Sequence, residues 1–345
     1  DFIQRSSGAL EKINKKEGLF VASFEELFQR QDDCFKKHYE QSEFLDLKDQ
    51  FNAFNLTYLT SGTFIYIPKG LQVEEAIHLA FFNEKIKDKE KNHQLYIYAE
   101  KNTAIEIIES YYSLGDVKKS SKLNVHVHIE TADGANVKYT AIDELDKKTQ
   151  SFFRRTGKTG PDSTLNLALG AMNQGDTIED LRIDLLGAGS SADVKAVAIS
   201  RENQRQIINT KVVNHGAHTV GNIYQHGVVL DQSRLSFNGV GDVLKNAKFS
   251  DAQQESRILM LSEEGRADTN PILLINEYEL TAGHAASISR VDEKQLYYLM
   301  SRGLERKEAE KLVIRGFLGT VLSAISVKDV RENLVKTIER KLALL

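Results

Sequence analysis

In the stretch KLNVHVHIE, Leu123, Val125, Val127 and Ile129 alternate with Asn124, His126, His128 and Glu130. A period of two is expected of a strand with one buried face. Leu95 and Ile97 in QLYIYA repeat the pattern, as do Leu181, Ile183 and Leu185 in DLRIDLL. Further short runs begin at Ala104, Asn136, Asp193, Gln206, Ser256 and Pro271. Glycines punctuate them, among them Gly115, Gly134, Gly170, Gly187, Gly221, Gly239 and Gly265, together with Asn and Asp; these residue types end strands at turns. No helical period separates the runs, which excludes a doubly wound α/β domain and leaves a sandwich, barrel, propeller or β-solenoid. The absence of a fixed repeat counts against a propeller. A β-helix tolerates unequal rungs, because each turn needs only to stack its apolar residues on the last.

Both ends change period. Ser23 and Glu26 form a capping-box pattern ahead of Leu27, Phe28 and Phe35, predicting a helix from about 23 to 40. Asp292 and Gln295 open a short helix carrying Leu296, Leu299 and Met300, which Gly303 stops. From Glu305 onward, Ala309, Leu312, Val313, Phe317, Val321 and Ile325 recur at steps of three and four, the stripe of a longer amphipathic helix. Ser326 with Asp329 starts a last helix bearing Val330, Leu334, Ile338 and Leu342. The expected layout is an N-terminal helical region over 1–60, a β core over 61–291 and a C-terminal helical region over 292–345.

Composition narrows the partners. A chain of 345 residues, 41% hydrophobic, can bury a large core. A net charge of −4 without a basic or acidic tail gives no electrostatic reason to expect nucleic acid or an anionic membrane. The one cysteine, Cys34, excludes an intrachain disulfide, a CxxC zinc knuckle and a self-contained four-thiolate cluster site. No apolar run reaches the ~18 to 20 residues of a membrane span, and no charged start followed by an apolar stretch marks a secretory signal. The expectation is a cytoplasmic protein. A first residue of Asp rather than Met is what a piece of a longer chain would show.

Few residues suggest chemistry by themselves. Gly157-Lys158-Thr159 ends like a P-loop, but Phe152 stands where that motif needs its first glycine. His126 and His128 would share one side of a strand, as metal ligands do. Without a third ligand nearby, an exposed polar face is the simpler reading. His215, His218 and His226 cluster in NHGAHTVGNIYQHG, where turn and edge histidines are expected. Cys34 stands beside Asp32 and Asp33, neighbours that disfavour a thiolate. Glu263 and Glu264, and the Asp32 pair, read as solvated surface. His284 is framed by Ala282, Gly283, Ala285 and Ala286, small residues that let another backbone approach. Its plain reading is a tight junction between a strand and the helical tail.

Several segments of this region resemble the C-terminal signature of the SufB/SufD family of iron–sulfur cluster assembly scaffold proteins. They are RILMLS from Arg257, the Pro271 strand, GHAAS with Arg290 and Asp292, QLYYLMSRG from Gln295 and AEKLVIRGFL from Ala309. The resemblance is strong over about 206–320 and looser from about 61. It points to the SufD branch, because His284 is followed by Ala285 and Ala286 where the SufB branch carries an acidic residue. The β region also lacks the cysteine that SufB supplies.

The resemblance implies a mainly β chain with a right-handed parallel β-helix core flanked by helical regions. It implies a non-catalytic, SufD-like subunit of a SufB–SufC–SufD scaffold, paired with a SufB-type subunit, with the SufC-type ATPase bound to the C-terminal helices. Isolated, the chain is expected to form a homodimer. No cofactor would be held tightly by the chain alone; an iron–sulfur cluster would be shared transiently with SufB, and His284 is the candidate ligand to cluster or iron. Thr281-Ala282-Gly283 stand where some relatives place a cysteine and serine, which leaves His284 as the ligand candidate in the motif. Two other classes stay open from the residues: a β-helix carbohydrate-active enzyme and a passive β-solenoid interaction module.

Overall fold

The computed structural model describes residues 18–45, 49–84, 90–114, 120–323 and 328–342. Gly115, Ile325, Ser326 and the side chains of Val321 and Asp329 lie outside the described residues. Strands alternate between two sheets. One runs β1 (Phe20–Ser23), β2 (Ser61–Ile67), β4 (Lys91–Ala99), β6 (Ser121–Thr131), β8 (Thr149–Thr159), β10 (Thr177–Leu185), β12 (Arg205–Asn214), β14 (Arg234–Val243) and β16 (Arg266–Ile275). The other runs β3 (Ile77–Glu84), β5 (Ala104–Leu114), β7 (Asn136–Glu144), β9 (Thr164–Ala171), β11 (Ser191–Ser200), β13 (Val220–Val229), β15 (Ser250–Met260) and β17 (Leu280–Arg290). From β2 onward every ladder is parallel and joins a strand to the second one after it. This is a parallel β-helix, one of the folds the alternation leaves open and the one the resemblance implies.

The lack of a visible repeat has a simple cause. The register advances from Leu95 to Val127, then to Arg155, then to Leu181, steps of unequal length. The difference is absorbed in the turns, while inward residues stay stacked. Inward positions such as Leu95, Val127, Tyr139, Leu167, Leu181 and Ile223 form one continuous core in the lumen. Each fully buried aliphatic side chain there contributes about 1.5–3 kcal/mol. Turns stack closely too: a Cβ at Gly187 would collide with the backbone at Gly160 and Pro161, so glycine is required there.

The helices cover the outer faces. Ser23 caps α1 (Phe24–Arg30), accepting from Glu26 N–H at 3.2 Å. The expected helix to residue 40 is instead broken: Gln31 takes φ +53° and Asp32 caps a second helix, α2 (Asp33–Glu40). A single turn at Glu43–Leu45 and α3 (Gln50–Thr57) follow. Phe24, Phe35, Tyr39 and Phe44 pack on Phe64 and Tyr96 from β2 and β4. The segment expected to be helical also holds strand β1, antiparallel to β2. At the other end, Asp292 caps α4 (Glu293–Ser301), followed by α5 (Arg306–Leu322) and α6 (Lys328–Leu342). Ile314, Leu318, Leu334 and Ile338 seat on Val197, Ile199 and Val228 of β11 and β13. The stripe expected on α6, Val330, Leu334, Ile338 and Leu342, faces the core; on α5 the expected stripe is corrected, since Leu312 is 49% exposed and the buried face is Ala309, Ile314, Leu318 and Leu322. No helix among the described residues is long and apolar enough to cross a membrane.

Candidate functional site

The last rung differs from every rung before it. In β15 the inward residues Ala252, Gln254, Ser256 and Ile258 are buried, whereas β16 and β17 have no buried residue along their length. Ile272, Leu274, Ile275 and Ile288 are each more than one-third exposed. β17 pairs with β15 along one edge and stands last in its sheet, so among the described residues its other edge is unpaired. Exposed apolar side chains beside free strand edges are a surface on which another chain can be built.

His284 lies on this surface. The expected strand-to-helix junction is corrected: His284 is inside β17, in register with Gln254 of β15, so its side chain takes the lumen side at the open end. It is exposed, and the small neighbours leave the strand's flank bare. The strand was hard to see in TAGHAASIS because small residues replace the usual branched ones. On the outer side of the same strand, a groove of about 620 Å³ is lined by Arg257, Ala285, Ser287, Arg290 and Asp292, and by Phe317 of α5. Beside it α4 presents Tyr297, 74% exposed, and Tyr298, 58% exposed.

The other histidines are not brought together. His126 and His128 do share one side of β6, but the expected exposed face is buried, because Phe44 of the N-terminal turn lies edge-on 4.6 Å from the His126 ring. His128 is held by Thr156 at 2.7 Å and Glu130 at 2.8 Å. Among the described residues both His126 nitrogens lack a partner, and burial depresses its proton affinity well below that of a free imidazole. His215 sits in a turn as expected, its Nε2 2.8 Å from Asp184. His218 takes φ +58° and stacks on Phe249. His226 departs from the turn reading: it is buried within β13, between the Phe317 carbonyl at 3.0 Å and Glu255 at 3.1 Å. Phe317 supplies that cover from far along the chain, so no local signal announces it. Among the described residues, no group of three or more His, Cys, Asp or Glu could hold a metal ion.

Burial, then Asp32 and Glu100, push the Cys34 thiol up, away from the reactive thiolate. Gly157, Lys158 and Thr159 lie in extended strand β8 rather than in a loop before a helix, so they cradle no phosphate. One group escaped the sequence reading. Arg155 of β8, inward beside Phe153, is fully buried with Glu109, Asp143 and Glu179. Its place in the alternation with Phe153 was the signal available.

Comparison with known proteins bears on this surface. The family model for the SUF system FeS cluster assembly SufBD core domain matches residues 81–317, more than half of the chain, and the SufBD protein N-terminal region matches 3–79. The iron–sulfur cluster assembly protein SufD of Bacillus subtilis is 41% identical over 293 residues, covering 85% of this chain and 67% of that protein. An iron–sulfur cluster assembly SufBD family protein of Mycobacterium leprae is 27% identical, covering 77% and 30%. One of Staphylococcus aureus is 23% identical, covering 90% and 66%. The chain thus spans between about a third and two-thirds of the length of these relatives. It belongs to the SufB/SufD family of iron–sulfur cluster assembly proteins, on the SufD branch.

Proposed function

We propose that the chain is the SufD-type, non-catalytic subunit of a SufB–SufC–SufD scaffold, on which an iron–sulfur cluster is assembled as cargo and passed on. The observation that carries this reading is the uncovered last rung with His284 on it. A SufB-type subunit covers the exposed face and free edge of β16 and β17, which places His284 at the seam between the two chains. Neutral imidazole is a good ligand to iron through one nitrogen while the other holds a hydrogen bond. An incomplete ligand set from one chain retains cargo weakly, as a scaffold requires. The exposed tyrosines of α4 and the outer face of α5 offer the surface for the SufC-type ATPase, and the cytoplasm is the compartment this assignment implies.

The test is His284→Ala in a complex coexpressed with SufB and SufC and purified without oxygen. An exposed side chain contributes little to folding, about 0.5 kcal/mol or less, so thermal unfolding of the isolated chain stays unchanged. Iron and sulfide per assembled complex fall several-fold, with ATPase activity near normal. Unchanged cluster content per assembled complex would remove His284 from the site.

A further inference from the structure

Deep in the lumen, Arg155 is surrounded by carboxylates. Its Nη1 donates to Glu179 Oε2 at 2.6 Å, its Nη2 to Asp143 at 2.9 and 3.1 Å, and its Nε and Nη2 to Glu109 Oε2 at 3.3 and 3.2 Å. Tyr111 and Tyr139 donate to Glu109. All four charged side chains are at most 1% exposed. One cation faces three acids in a place without solvent, and burying unmatched charge is prohibitive. Glu109 accepts from the guanidinium and from two phenols. Asp143 and Glu179 crowd the same guanidinium, at Nη2 and Nη1 respectively, yet among the described residues Glu179 Oε1 has no donor. Two carboxylates crowded on one buried cation are stable only when they hold a proton as well. The next rung adds no charge, since Asp143 and Glu179 are in register there with Ala171 and Ile208; on the rung before stand Tyr111 and Phe153.

We propose that the lumen is a proton-binding site, in which Asp143 of β7 and Glu179 of β10 share one proton at neutral pH and thereby join the two sheets beneath Arg155. This reading is independent of the cluster-assembly role. Burial above all, opposed by Arg155 and reinforced by Glu109, raises Asp143 to about 6. Burial and the Asp143 charge raise Glu179 in the same direction. In the unfolded chain both titrate as ordinary carboxyls, so the folded state binds the extra proton. The stability it confers is full below about pH 4 and is lost as pH rises through 6 and beyond.

Infrared spectra in heavy water at neutral pH test this on the wild-type protein. The carbonyl stretch of an un-ionised carboxylic acid is expected, and its absence overturns the proposal. Glu179→Gln keeps the shape and imitates the protonated acid. That variant should lose the acid band, and its unfolding constant in urea should depend on pH less steeply than wild type's, by up to about tenfold per pH unit. An unaltered band and an unaltered pH slope would sink the idea. Asp143→Asn makes the same comparison from the other partner should Glu179→Gln fail to fold.

Discussion

At the scale of single residues, position within the alternation matters more than residue type. Arg155 has the most polar of side chains, yet it stands where Phe153 would lead one to expect another apolar residue. Its guanidinium carbon lies over the Phe153 ring, 4.6 Å from the ring centroid, and the same head is held by three acids. Arg155→Met fits the volume but strands those acids. We expect a loss of about 3–5 kcal/mol, the scale for breaking a buried ion pair from one side, measured by urea unfolding near neutral pH. A loss no larger than that of an exposed substitution, about 0.5 kcal/mol, would show that the acids are not held by Arg155. His284 makes the opposite point. Nothing in its own neighbourhood distinguishes it; the resemblance carried it, and the structure adds its place on an open rung.

Elements were legible in proportion to how local their burial is. β6, β10 and the stripe of α6 announce themselves because each buries one face at its own period; α5 carries apolar residues on more than one side, so its buried face, Ala309, Ile314, Leu318 and Leu322, is not the one its spacing suggests. β8 and β14 do not, because lumen positions hold Arg155, Gly157, Gly239 and Gly241, which break the apolar alternation. The broken helix at Gln31 was illegible because Asp32, read as surface, is a cap. His126 and His226 were misread because their lids, Phe44 and Phe317, come from distant elements. Helix α6 carries a consequence of its own. Lys341 in its last turn is buried and donates to the carbonyls of Asn173 at 2.6 Å and Ile199 at 2.7 Å. Burial, then the charge of Arg201, lowers it to about 7. The unfolded chain keeps that proton to far higher pH, so between about 7 and 10 the unfolded state binds more protons. Stability from this group therefore rises with pH through that window. Relative to Lys341→Met, wild type should gain stability as pH is raised from 7 to 9 in thermal melts; parallel curves would refute the linkage.

For the whole molecule, the last rung governs association. Leu274 and Ile288 are exposed there beside the free edge of β17. The isolated chain is expected to sediment as a dimer, and Leu274→Lys combined with Ile288→Lys to return it to monomer, since buried like charges oppose pairing. A wild-type monomer at high protein concentration would argue that the rung needs a different chain to cover it.

The two ends of the lumen are unequal. At the first, Leu19 is buried, with Val21, Leu71 and Val73 packed against the core, and the short strand β1 runs against the direction of all the others. A solenoid open at both ends can add copies head to tail without limit and become a fibre. Two copies that meet through their open rungs meet tail to tail. Such contact is self-limiting: once two chains meet, neither retains a surface for a third. A contact of that kind would hold the assembly to a pair and leave the outer faces of both chains uncovered.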